Sequence, residues 1–222
     1  PMMEGAGTTA YDGSGNGNHG TISGATYVNG IGAPVAQSAV MDWNKGVNLL
    51  TYSEEIDNAI WQKVASGAGS VTPIVTANYA ISPDGTQTAE RIQLTRGTAS
   101  SAYCYVYQSI SVTSGQTYSW SVWLKSLSGT PSVALVFDGS SYDNIVTLTN
   151  EWAKYTFTGV TGGAGIQSTF LLFGDLPTTS LTADFLAWGA QVNDGSVGPY
   201  VRTGATAQTS EVLLPQGLTT GR

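Results

Sequence analysis

The chain has 222 residues, with 8 Lys plus Arg against 15 Asp plus Glu and a formal net charge of −7. Charged residues are only 10% of the chain and 23 Ser, 28 Thr and 28 Gly exceed a third of it, yet apolar residues stay at 41%. This profile excludes a disordered chain, a coiled coil and a phosphate-binding basic surface, and no apolar run approaches the roughly 18 residues of a membrane helix.

The first 46 residues are rich in Gly and Asn, and their apolar positions are too sparse to build a core alone. The run Asp12-Gly-Ser-Gly-Asn-Gly-Asn-His-Gly20 predicts a tight β-turn between weak strands at residues 8–11 and 21–28, in a segment that needs a partner surface. Asp12, Ser14 and Asn16 match the first half of a calcium loop, but no Glu stands at the twelfth place, which favours a plain Gly-Asn turn. His19, the one His, leaves hydrolytic metal centres short of ligands and would put a Ser-His-Asp triad on a turn. No basic region followed by an apolar stretch opens the chain, so no signal peptide is expected.

From about Asn48 the pattern is short strands separated by turn chemistry, as in an all-β sandwich. One or two helical turns are expected over residues 53–61, capped by Ser53 with Glu54 and Glu55 at the positive end of the dipole. Strict alternation predicts strands at residues 103–112, 117–125, 132–138 and 166–172, and a doubly covered central strand at residues 185–192. The lone Cys104 excludes an intrachain disulfide, and its place beside Val106 marks a small buried hydrophobe. The carboxylates Glu54 with Glu55, and Asp84 with Glu90, have no sequence neighbours that would raise one pKa, so solvated turns are expected rather than a glycosidase pair. The run Glu211-Val-Leu-Leu-Pro215 predicts docking of the tail.

The strand at residues 103–112 sets Cys104, Val106, Gln108, Ile110 and Val112 on one face and Tyr103, Tyr105, Tyr107 and Ser109 on the other. Joined to the next strand as a hairpin through Ser114, Gly115 and Gln116, it puts Tyr107 opposite Trp123, Tyr105 opposite Lys125 and Ile110 opposite Trp120. The result is an outward platform of Tyr105, Tyr107 and Trp123 edged by Lys125, with Asp138, Tyr142 and Asp143 in the next strand end and turn. Flat aromatic faces suit pyranose C–H groups while neighbouring polar groups bond the hydroxyls. The same face equally suits packing against another sheet, the N-terminal segment or a neighbouring subunit.

Three motifs occur in order: Asn48-Leu-Leu-Thr-Tyr-Ser-Glu-Glu-Ile-Asp-Asn-Ala-Ile-Trp61, then Tyr107-Gln-Ser-Ile-Ser-Val-Thr-Ser-Gly-Gln-Thr-Tyr-Ser-Trp-Ser-Val-Trp-Leu-Lys125, then Trp188-Gly-Ala-Gln191 with Tyr200-Val-Arg-Thr203. Together they resemble the jelly-roll carbohydrate-binding modules of bacteriophage tail fibres and other virion proteins, over about residues 47–206. Residues 3–26 are similar to the opening of laminin-G or concanavalin-like domains, and only that opening is present.

The resemblance implies an all-β jelly-roll sandwich at 47–206, with an extended N-terminal strap at 1–46 and a C-terminal tail at 207–222. It also implies a non-enzymatic structural or adhesion protein of a virion surface, assembled with other virion proteins as a homo-oligomer, a trimer being favoured, and binding host-surface glycan. Modules of this kind often hold a structural calcium between the N-terminal segment and an Asp of the last strand. Here Glu54 and Glu55 are present, but Trp188-Gly-Ala-Gln191 brings no carboxylate, so no cofactor is expected. Two alternatives stay open: a purely structural capsid-decoration or tail component, and an accessory module of a polysaccharide-degrading enzyme.

Overall fold

The computed structural model describes residues 9–10, 20–21, 25–27, 34–36, 44–136, 144–162, 165–173 and 179–214. Its contacts divide the chain into two units, one of Pro1–Asn44 with Leu213–Arg222 and one of Lys45–Val212.

In the first unit β1 (Thr9–Ala10) pairs antiparallel with β2 (Gly20–Thr21), Thr9 facing Thr21. Within the strand expected over residues 21–28, β3 (Ala25–Tyr27) takes its own antiparallel partner, β4 (Pro34–Ala36). The Gly-rich run, with Asp12, Ser14, Asn16 and His19, lies outside the described residues.

In the larger unit the strands are β5 (Asn44–Asn48), β6 (Gln62–Ser66), β7 (Val71–Ala80), β8 (Ala89–Thr95), β9 (Tyr103–Ser111), β10 (Thr117–Ser126), β11 (Ser132–Val136), β12 (Ile145–Thr147), β13 (Ala153–Val160), β14 (Gly165–Phe173), β15 (Thr182–Asp194) and β16 (Gln208–Leu214). Two five-stranded sheets, β13-β10-β15-β8-β7 and β12-β11-β14-β9-β6, make a jelly-roll sandwich, and β16 docks on β5 as a two-stranded ribbon. The predicted alternation is what fills the core. Tyr118, Trp120, Val122 and Leu124 of β10 are buried, as are Cys104 and Val106 of β9 and Val133 and Leu135 of β11. Phe170 lies at the centre, with its ring centroid 5.7 Å from Trp120, 6.0 Å from Phe185 and 6.2 Å from Trp61. Tilted and edge-to-face pairs of this kind stabilise a core beyond their buried area.

One sequence expectation is overturned here: β9 and β10 are not a hairpin. β9 pairs with β14 and β6, whereas β10 pairs with β13 and β15, so the chain crosses from one sheet to the other at residues 112–116. The crossing is tied to a second one beside it. Gly115 N donates to Thr161 O (2.8 Å), Thr161 N donates to Gln116 O (3.0 Å), and Thr161 Oγ1 donates to Thr113 O (3.0 Å). Gly115 has φ +79°, which suits a residue without Cβ. Parity could not exclude this path, since a crossover keeps the apolar faces of both strands inward just as a hairpin does.

The expected helix at residues 53–61 is also absent. Its backbone groups are claimed by distant chain: Ser53 N donates to Thr203 O and Ala190 N donates to Ser53 O. What remains is a run of turns, with Glu55, Asn58 and Trp61 amides each donating to the carbonyl three residues earlier. This path inserts both Ile56 and Trp61 fully into the core, and tertiary burial outweighs the local helix signal.

Candidate functional site

Tyr103, Tyr105 and Tyr107 project from the outer face of the β9 sheet as half-buried rings, because Cys104, Val106 and Gln108 between them point inward. Their centroids are 5.6 and 5.3 Å apart, a continuous ladder along one strand. Gln108 is held by the loop beneath, its Oε1 accepting from Thr51 N (2.8 Å) and its Nε2 donating to Thr51 O (2.9 Å), which fixes β9 from inside.

The register carries an apolar row across all five strands of this sheet: Val64, Tyr105, Leu171, Ala134 and Ile145 occupy successive positions. The next row runs Gln62, Tyr107, Thr169 and Val136. Ala134 and Val136 face outward yet are 0% and 3% exposed, packed with Tyr103, Tyr105 and Ile145 in a small cluster separate from the main core. Rings packed beside an aliphatic floor, with the Gln62 position at the edge, give a surface suited to stacking.

Trp123 and Lys125 are not part of this surface. They project from the outer face of the opposite sheet, where Trp123 pairs with Lys154 and Trp188, and Lys125 with Leu186. The four-residue platform expected from a hairpin therefore separates into a tyrosine half and a tryptophan half on opposite sides of the sandwich. Asp138, Tyr142 and Asp143 lie outside the described residues. Tyr103 and the floor residues Ala134 and Val136 join the tyrosine half. Tyr103 was legible as the preceding outward position of the strand, whereas the floor depends on pairing partners that the local pattern does not name.

The carboxylates behave differently from solvated turn residues. Glu90 is 1% exposed and accepts from Asp57 N (2.6 Å), and burial together with the Asp57 carboxylate pushes its pKa up to about 8. Glu54 is also buried, accepting from Tyr200 Oη (2.9 Å) and facing Arg202 Nε at 3.4 Å. Asp84 does sit in an exposed turn, where hydrogen bonds from Ser82 and Thr86 hold its carboxyl below the ordinary value. Glu90 is closed under the 53–61 turns, so it anchors that segment rather than facing a cleft. Cys104 is likewise fully buried, and burial pushes its thiol up to about 11, leaving no thiolate nucleophile there.

Around Gln191, in the segment that the sequence resemblance singled out for calcium, amide side chains take up the available oxygens. Gln191 Nε2 has Asn193 Oδ1, Pro199 O and Gly198 O at 2.9, 3.0 and 3.3 Å, while Gln191 Oε1 accepts from Val201 N (2.6 Å). Three oxygens thus converge on an amide nitrogen, where a hard cation would want them free. Asn48 continues the network, donating to Ala190 O and Val201 O and accepting from Leu50 N and Val192 N. Among the described residues no group of three or more His, Cys, Asp or Glu side chains is placed to hold a metal.

An open cleft of about 340 Å³ lies where β9 leaves its sheet, lined by Leu49, Ser111, Val112, Thr113, Tyr118 and Asp194. None of the residues expected to bind glycan lines it.

No family model and no curated protein matches the chain. Among solved structures it is similar to the family 11 carbohydrate-binding module from Clostridium thermocellum in complex with a β-1,3-1,4-mixed-linked tetrasaccharide (TM-score 0.48, 11% identity, covering 68% of this chain and 96% of that one). It is also similar to the CBM22-1 xylan-binding domain of Paenibacillus barcinonensis Xyn10C (TM-score 0.40, 20% identity, 69% and 98%). A third is the enzymatically active domain of bacteriophage CBA120 tailspike protein 4 (TM-score 0.44, 14% identity), of which the match spans 23% against 69% of this chain.

Proposed function

We propose that the protein is a non-enzymatic structural or adhesion component of a phage virion whose jelly roll binds a glycan across the tyrosine face of β9. The observation that carries this reading is the ladder of Tyr103, Tyr105 and Tyr107, spaced 5.6 and 5.3 Å and backed by the aliphatic floor of Ala134 and Val136. Three consecutive outward rings favour a ligand with repeated flat apolar faces. Among the described residues the strongly raised carboxyl, Glu90, is enclosed away from this face, and the reading is of binding without turnover.

The virion role, the particle-surface location and the homotrimer with other virion proteins rest on the three ordered sequence motifs. The strap at residues 1–46 and the tail at 207–222 are the parts assigned to neighbouring chains. A glycan array followed by affinity electrophoresis of wild type and Tyr105→Ala tests the binding. Hydrogen exchange of free against assembled protein tests the assembly, with protection expected at both termini.

A purely structural role is the second reading, favoured by the near-complete burial of Ala134 and Val136 on an outward face. It predicts no glycan signal, and side chains of Tyr105 and Tyr107 that hydroxyl-radical footprinting finds covered only in the assembled particle.

A further inference from the structure

Four of the eight cationic side chains of this acidic chain are held by partners among the described residues. Arg91 holds Asp184 through Nε (2.8 Å) and Nη2 (2.6 Å). The Arg96 guanidinium donates to the carbonyls of Ser180, Gly97 and Thr179. Lys63 donates to Asp57 O and Asn58 O, and Arg202 faces Glu54. Lys125 and Lys154 have no hydrogen-bond or ion-pair partner among the described residues. Both stand on the outer face of the β10 sheet beside the same ring: Lys154 is directly across from Trp123, and Lys125 is two residues further along β10.

We propose that Trp123, Lys125 and Lys154 form a second glycan-binding surface, on the side of the sandwich opposite the tyrosine ladder, for a carboxylate-bearing pyranose such as the uronate residue of an acidic polysaccharide.

The ring is held for such a role by what lies under it. Trp123 pairs with Trp188 next to a bulge in β15, where Gly189 has φ +66°. A Cβ at Gly189 would lie 3.6 Å from Trp123 Cδ1 and 3.5 Å from Tyr200 Cε2, so both rings close over the glycine. Trp188 and Tyr200 pack with their rings tilted by 52° and centroids 4.7 Å apart. Trp123 is thus buttressed along one edge while remaining half-exposed, a rigid plate rather than a swinging side chain.

The charge pattern selects the ligand. Diagonal neighbours on adjacent antiparallel strands lie about 7–8 Å apart, so the two ammonium groups can flank a single sugar ring stacked on the indole. An ammonium on a flexible stem neutralises a lone carboxylate without the planar match a guanidinium demands. Two local cations in a chain of net charge −7 suit one carboxylate per ring, because a densely charged polyanion would meet the repulsion of the whole molecule.

The test is affinity electrophoresis through polygalacturonate and through its methyl-esterified form, which keeps the ring and removes the charge. An ionic strength near 0.15 M sets the Debye length at about 8 Å and screens distant acids. Polygalacturonate should retard the wild type, and the Lys125→Gln/Lys154→Gln double variant should lose at least tenfold in affinity. Trp123→Phe should weaken binding less than the lysine pair, the methyl ester should bind weakly, and Tyr105→Ala should leave the acidic ligand's affinity unchanged.

No retardation by polygalacturonate, equal retardation by acid and ester, or wild-type affinity in the lysine double variant overturns the proposal. So does sedimentation showing that these lysines instead hold a second copy of the chain. Loss of acidic binding in Tyr105→Ala would also overturn it, by assigning the acidic ligand to the tyrosine face. Neutral-glycan binding through that face is read separately, so the two surfaces fail independently.

Discussion

Tyr107 and Trp123 project from opposite outer faces of the sandwich, Tyr107 paired with Gln62 and Thr169 on one sheet and Trp123 paired with Lys154 and Trp188 on the other. A whole core layer containing Val106, Trp120 and Phe170 lies between the two sheets. Aromatic residues only 16 apart in sequence therefore cannot stack on one sugar. Residues separated by a packed interior and sharing no partner act additively.

This separation predicts how neutral glycans respond to substitution. Trp123→Ala should leave the affinity for a neutral polysaccharide unchanged, while Tyr107→Ala should weaken it about tenfold, near 1.4 kcal/mol. Isothermal titration of both variants with the same ligand checks this. Equal losses in the two would mean a single site that the topology does not provide.

The buried carboxyl of Glu90 predicts an unusual pH profile. Its folded pKa of about 8 exceeds the ordinary 4.5, so the folded state holds a proton that the unfolded state releases. That contribution is complete below about pH 4.5 and is lost as pH rises through about 8. The surrounding charges are Asp57, which opposes ionisation of Glu90, and Lys63, whose own pKa is lowered chiefly by burial. Thermal melts between pH 5 and 9 should show the Tm falling with pH, and Glu90→Gln, which can still accept from the Asp57 amide, should flatten the fall. A wild-type Tm that holds or rises across this range contradicts the assignment.

The amide network predicts a large structural cost at a residue far from either face. Asn48→Ala removes the acceptor for two buried amides, Leu50 N and Val192 N, and two donors to carbonyls. Each unsatisfied buried group costs about 1–3 kcal/mol, so a loss of about 2–5 kcal/mol is expected. Urea unfolding should show a lower midpoint with an unchanged slope.

Because the Gln191 amide nitrogen already takes the oxygens of Asn193, Gly198 and Pro199, calcium should not contribute to this fold. The Tm should be the same in millimolar calcium and in EDTA. A rise with calcium would place a metal site in a part of the chain outside this network.

The sandwich was readable because period-two alternation survives in β9, β10 and β11: in β10, Tyr118, Trp120, Val122 and Leu124 all point inward as the pattern requires. Pairing was not readable. Trp120 faces Phe157 and Val192, residues 37 and 72 positions away, and no local pattern encodes partners at such distances. That is why the outward direction of Tyr105, Tyr107 and Trp123 was right while their common platform was wrong. Lys154 was invisible for the same reason, since only the pairing of β13 with β10 brings it to Trp123. At residues 53–61 the helix signals were real, but the demands of Thr203 and the core on Ser53, Ile56 and Trp61 prevailed.

The central claim is that the tyrosine ladder of β9 is a glycan platform. Affinity electrophoresis against neutral soluble polysaccharides, including mixed-linked β-glucan, xylan and galactan, with wild type, Tyr105→Ala and Tyr107→Ala in parallel, tests it most directly. Retardation of the wild type by at least one polymer is expected, with a loss of at least tenfold in each variant while circular dichroism shows the variants still folded. Retardation by none of them, or variants that migrate with the wild type through a polymer that retards it, would contradict it.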